Sequence, residues 1–240
     1  MNKITLDTFI QKYNLGGAVN SVKWISDGAT LSTKFISGDK SLLGHVELVK
    51  QTLPVFDEGV GVYDTAQLAK MLGTLSDSIE FEVNKVDGTH TNFNLSDKFQ
   101  KVHYVLAALG VIPDVPDLKS LPEFDTLVSL DSQFINSFIK SKSALSDVEH
   151  FTVQPSDGGV EFTIGYSDMN SNRITLKAQS GAVTITEPIT FNANLFKEVL
   201  SANKECSKAE LQISTNGLAH VEFKVDDFVA KYWLVAQQGN

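Results

Sequence analysis

The chain has 240 residues, 42% of them apolar and 20% charged, which is ordinary globular usage and excludes a disordered or fibrous protein. Its 29 acids against 20 bases leave a net charge of −9, which excludes a broad basic exterior for gripping nucleic acid. The single cysteine, Cys206, excludes a disulfide framework or a cysteine-based zinc site within one chain.

The opening MNKITLDTFI lacks the apolar core of a signal peptide, and no apolar run approaches the ~20 residues of a membrane span. A soluble, cytoplasmic protein is expected. In chain order, helices are predicted to begin at Asp7, Asp64, Asp131 and Asn192, all residue types whose side chains accept from the first free amides of a helix. Between them lie alternating segments with the period of half-buried strands, such as HVELV (45–49), VEFTIGY (160–166) and AELQI (209–213). Asp-Gly at 27–28, 87–88 and 157–158 and Asn-Gly at 216–217 supply hairpin turns, so the sheets are expected to be antiparallel. Three of the six prolines fall in ALGVIPDVPDLKSLPEF (108–124), which reads as an extended connector. The expected division is therefore residues 1–110, a connector 111–122, and residues 123–240.

No catalytic signature is present. Gly59-Val60-Gly61 lacks the third glycine of a dinucleotide fingerprint, and neither a phosphate loop nor a nucleophile elbow occurs. The five histidines are scattered without short metal-ligand spacing, so no metal, no cofactor and no enzymatic activity are expected.

The chain repeats itself at an offset of about 124 to 131 residues. ITLDT (4–8) matches VSLDS (128–132), Tyr63-Asp64 matches Phe191-Asn192, and IEFEV (79–83) matches AELQI (209–213). KFQKVHYVLA (98–107) matches DFVAKYWLVA (227–236), with Phe99 over Phe228 and Tyr104 over Trp233. Each half thus reads as two helices and a set of antiparallel strands, an α+β unit used twice.

Placed at about 100° per residue, each helix separates an apolar arc from a polar face. Lys70 lies opposite Leu68, Met71 and Leu72, and Lys140 lies opposite Phe134, Ile135 and Phe138. Lys197 faces outward beside Glu198, and Lys12 sits on the flank of Leu6, Phe9, Ile10 and Tyr13. Lys142 falls over the apolar arc of its own helix. One lysine in an equivalent place on every helix runs against the charge of the whole chain.

The tandem helix–strand units, the proline-containing connector and the lysine-bearing helices resemble the ring-shaped sliding clamps of DNA replication. The length and the segments VGVYDTAQLAKMLGTLSDSIEFEV and AHVEFKVDDFVAKYWLVA are most similar to the clamps of T-even-type bacteriophages. That resemblance implies the DNA-clamp (processivity) fold, with three two-domain subunits closing into a homotrimeric ring of six domains. Duplex DNA would pass through the hole without base contacts, facing Lys12, Lys70, Lys140 and Lys197. A C-terminal peptide of the DNA polymerase would dock on Val111, Ile112, Val115, Leu118 and Val235. Subunits would join at the strand around Phe99 and Lys101 and at the strand from Arg173 to Lys177, where Lys98, Lys101, Arg173 and Lys177 could add charge pairs. A clamp-loader ATPase would open the ring, and the protein would act in the host cytoplasm. The competing expectation is a duplicated β-rich structural module of a virus particle with no DNA-encircling activity.

Overall fold

The computed structural model describes residues 2–118, 120–124, 126–166, 171–181 and 183–237. Its elements run α1 (Lys3–Asn14), β1 (Val22–Ser26), β2 (Leu31–Ile36), β3 (Leu42–Leu48), β4 (Phe56–Val62), α2 (Thr65–Gly73), β5 (Glu80–Val86), β6 (Thr89–Ser96) and β7 (Lys101–Val105). The second series is β8 (Thr126–Asp131), α3 (Ser132–Ala144), β9 (His150–Ser156), β10 (Gly159–Ile164), β11 (Ile174–Gln179), β12 (Ile189–Asn192), α4 (Ala193–Ala202), β13 (Lys208–Ser214), β14 (Leu218–Val225) and β15 (Phe228–Val235). Apart from β8 the two series have the same order of helices and strands, so the duplication extends to topology.

The chain forms two compact units. One takes in Met1–Gly38, Gly44–Pro116 and Asp226–Ala230, and the other Asp39–Leu43, Asp117–Val225 and Lys231–Asn240. In the first unit one sheet runs β4-β1-β2-β3 and another β5-β6-β7; in the second, β12-β9-β10-β11 and β8-β13-β14-β15. The hairpins obey their turn residues. Between β5 and β6, Asp87 and Gly88 both take positive φ (49° and 82°), the two-residue turn whose twist suits antiparallel strands.

Each unit closes over aromatic rings. In the first, Trp24 stacks on Phe93 at 5.3 Å and takes the edges of Phe9 and Tyr13. In the second, Phe151 stacks on Phe162 and Phe196, and Phe138 packs edge-on against Phe151 and Phe196. Such contacts add to area burial and explain how domains of this size hold together without disulfides.

Three of the four expected helix starts are seen. Asp64 accepts from the Gln67 amide at 2.8 Å, Asp131 from Phe134 at 2.7 Å and Asn192 from Leu195 at 3.0 Å. The fourth is corrected: α1 begins at Lys3, capped by Asn2, and Asp7 lies inside it. The match of ITLDT to VSLDS fails for the same reason, since residues 4–8 are helical whereas Val128 to Asp131 belong to β8. The true counterpart of Asp131 is Asn2: Asp131 pairs with Lys208, and Asn2 bridges Ser78.

A second correction concerns the last strands. Val102 and Tyr104 point inward in β7, and Ala230, Tyr232 and Leu234 do so in β15. Tyr104 therefore corresponds to Tyr232 and not to Trp233, because one residue of slip turns every side chain to the other face. The two tyrosines also do similar work. The Tyr104 hydroxyl donates to the Asp64 carbonyl at the start of α2, and the Tyr232 hydroxyl accepts from Asn203 Nδ2 at the end of α4.

Candidate nucleic-acid interface and docking edges

The helices pack in pairs, α1 with α2 and α3 with α4, each burying its apolar stripe against its own unit. Together they carry six lysines and two acids, Asp7 and Glu198, in a protein with 29 acids and 20 bases. Two further acids, Asp64 and Asp131, stand exposed at the starts of α2 and α3, where each caps an amide. Two of the six, Lys12 and Lys142, are buried, so what the helices can offer a polyanion is chiefly the exposed Lys70 and Lys140.

Of the four lysines expected on that surface, Lys70 and Lys140 are exposed. Lys197 is half-buried, with Nζ 2.9 Å from Glu198 Oε1, so much of its charge is answered locally. Lys12 is corrected: it is 1% exposed, with Nζ 5.4 Å from the centre of the Phe228 ring. It follows Phe9 by one helical turn, so its stem runs along the same stripe and the ring covers it. Lys142 is buried as its place over the apolar arc implies, and donates to the carbonyls of Leu145 (3.3 Å) and Ser146 (2.9 Å) past the end of α3. Burial, helped by the like charge of Lys197, pulls its pKa below the ordinary lysine value. Lys142 thus closes a helix C-terminus, where a cation suits the unpaired carbonyls.

The apolar residues of the connector divide. Ile112 is 7% exposed and lies against Gly61, where an added Cβ would come within 3.1 Å of Ile112 Cγ1. The Ala107 amide also donates to the Gly61 carbonyl at 2.9 Å, so the connector's start is tied down by backbone as well as by packing. Val111 and Leu118 are exposed at 57% and 40%, Val115 is half-buried, and Val235 is exposed at the end of β15. Ile112 is thus a core residue of the first unit, and the other four remain available to a partner. In the first unit, a cavity of about 540 Å³ lies beside this segment, lined by Val60, Gly61, His90, Val105 and Leu109 among others.

β7 and β11 are edge strands of their sheets. Beside β7, Phe99 is 90% exposed at the tip of the β6–β7 turn, and Lys101 is exposed. At β11, Arg173 and Lys177 are exposed, and Lys177 pairs with Glu161 of β10 at 3.7 Å. Both edges are therefore cationic, and the acid within reach of a charge pair at β11 already has a partner. Sequence reasoning missed Asp97. Its carboxylate accepts from the amides of Ser76, Phe99 and Gln100, which holds its pKa far below the usual carboxylate range and fixes the turn carrying Phe99. The signal was available: aspartate two residues before an exposed position is a common turn former.

Among the described residues no cluster of histidine, cysteine and carboxylates could hold a metal ion, and no helix is long and apolar enough to cross a membrane. No protein-family model and no curated protein matches the sequence. Among solved structures, the chain is similar to the crystal structure of Proliferating Cellular Nuclear Antigen from Entamoeba histolytica. The likeness has a TM-score of 0.74 at 15% sequence identity and covers 99% of this chain and 97% of that one. The fold is accordingly that clamp fold, α+β, with antiparallel sheets and two helices in each of two duplicated units.

Proposed function

We propose that this protein is a sliding clamp of the T-even bacteriophage type, which encircles duplex DNA in the host cytoplasm and tethers the replicative DNA polymerase. The observation that carries this reading is the clamp fold itself, with Lys70 and Lys140 exposed on the helices of an acidic chain. Lysines such as Lys70 and Lys140 would face phosphates without reading bases, giving attraction that is independent of sequence and weakened by salt. An acidic exterior would keep DNA from the outside. Holding by topology and not by a tight interface leaves the ring free to slide. A polymerase bound to it stays at high effective concentration at the primer end.

Three copies would close head to tail, β7 of one beside β11 of the next, which would remove two exposed sheet edges at each junction. Val111, Val115, Leu118 and Val235 would receive the apolar anchors of the polymerase's C-terminal peptide, with Ile112 holding the connector from beneath. A clamp-loader ATPase would open the ring. The protein itself would act as a scaffold without catalysis.

The test is a loading assay joined to a mass measurement. Light scattering should show a species near three times 26.2 kDa that dissociates on dilution. Protein loaded on nicked circular DNA should stay bound, and should run off once the circle is cut. A strict monomer that leaves circular and linear DNA equally fast would instead favour a structural module.

A further inference from the structure

The two units differ at one strand. In the second unit β13 is covered on its outer side by β8, residue by residue from Lys208 opposite Asp131 to Ile213 opposite Thr126. In the first unit the equivalent strand, β5, is the edge of its sheet. Among the described residues its outer side is met only just before it begins, where Asn2 bridges Ser78 and the Lys3 amide bonds the Asp77 carbonyl.

The missing cover shows in the side chains. Phe81 and Val83 point inward, paired with the fully buried Leu95 and Phe93, yet both are only half-buried. Their counterparts Leu211 and Ile213, under β8, are 2% and 0% exposed. On the other face β5 presents Glu80 and Glu82, both exposed. Neither belongs to an edge used in the proposed ring.

From this we infer that the outer edge of β5 is a docking site for an extended segment of another protein. That segment adds a strand where β8 lies in the second unit, alternating small or branched apolar residues with lysine or arginine. Backbone bonds of the added strand would supply affinity, and alternate side chains specificity. With the β8–β13 register as template, the apolar positions fall beside Ile79, Phe81 and Val83, and the cations beside Glu80 and Glu82. A second copy of this chain is the poorer occupant, because pairing β5 with β5 would set Glu80 and Glu82 against their own kind. The inference stands apart from the clamp function and does not need it.

The probe is the peptide acetyl-Thr-Lys-Val-Lys-Leu-amide, patterned on β8 with lysine at the outward positions, titrated to millimolar concentration into the isotope-labelled full chain. Amide shifts should map to residues 78–86 and to no other strand. Binding should weaken about tenfold in E80K/E82K, whose substitutions lie on an exposed face and leave the circular dichroism unchanged, and it should weaken as salt is raised. A peptide with glutamate in place of both lysines should not bind. Absence of shifts would overturn the inference and leave the two glutamates as guards of a bare edge. Shifts centred on β7 or β11, or protection of β5 that follows the protein's own concentration, would overturn it equally.

Discussion

The carboxylate of Asp97 accepts the backbone amide of Phe99 at 2.7 Å, so the 90% exposed ring is carried on a turn that a charged group holds shut. The same carboxylate reaches the Ser76 amide at 2.6 Å, which ties this turn to the residues after α2. A ring left in water on a fixed turn is placed for a partner, since a free turn would lose the entropy of ordering on association.

If that partner is a second subunit, Phe99→Ala and Asp97→Ala should both weaken self-association while the far-ultraviolet spectrum stays native. Sedimentation across a concentration series reads the effect, expected at tenfold or more for the ring, about 1.4 kcal/mol. Equal trimer strength in both variants would move the junction away from β7. Because the folded Asp97 pKa is depressed, its stabilising contribution is present above the ordinary aspartate value and is lost only as pH falls through the lower, folded value. The turn should therefore persist at pH 5.

Lysine substitutions should separate by burial. Lys70→Glu with Lys140→Glu should leave the fold intact, reduce retention on circular DNA and flatten its salt dependence. Lys12→Glu should instead destabilise by on the order of 3 kcal/mol or more, since it buries a carboxylate in a site shaped for a long cationic stem. Lys12→Met, which keeps the stem, should cost about 1 kcal/mol. Urea midpoints check both. Since both edges are cationic, raising salt should loosen DNA without loosening the trimer.

The connector yields a contrast between neighbours. Ile112→Ala should cost about 2–4 kcal/mol in unfolding, because its side chain fills the space above Gly61. Val111→Ala, at an exposed residue, should change stability by less than about 0.5 kcal/mol and act only on the affinity of a polymerase peptide. Calorimetry on the two variants, with and without peptide, separates packing from docking.

A pH effect is expected from His220. Burial lowers its pKa from the usual 6.5; Glu222 opposes the shift and Lys231 assists it, while Trp233 stacks on the ring at 4.9 Å. Between the folded value and 6.5 the unfolded chain binds more protons than the folded one, so stability rises with pH in that window. Thermal unfolding temperatures should accordingly fall as pH drops below about 6.5 and level off below the folded pKa. His220→Gln should remove that slope; an unchanged slope in the variant would assign it to another group.

Local chemistry made much of this fold legible. Asp64, Asp131 and Asn192 announce their helices because capping involves only residues within one turn. Asp87-Gly88 announces its hairpin because two positive φ values are costly for most residue pairs. The duplication was readable in outline, since repeated order survives where residues diverge. What a single chain pattern could not decide was alignment to better than a few residues. Asn2 took the place expected of Asp7, and Tyr232 that of Trp233, because register is set by which face finds the core. Likewise the 100° projection placed Lys12 beside the apolar stripe, but whether its ammonium meets water depended on Phe228, more than two hundred residues away. The sequence by itself determined three of the four helix starts, the turns and the apolar stripe of each helix, all of them set by neighbours along the chain. Only the tertiary structure decided which lysines stay in water, that Ile112 is core, and that the outer edge of β5 is left open among the described residues, because each depends on what distant segments cover.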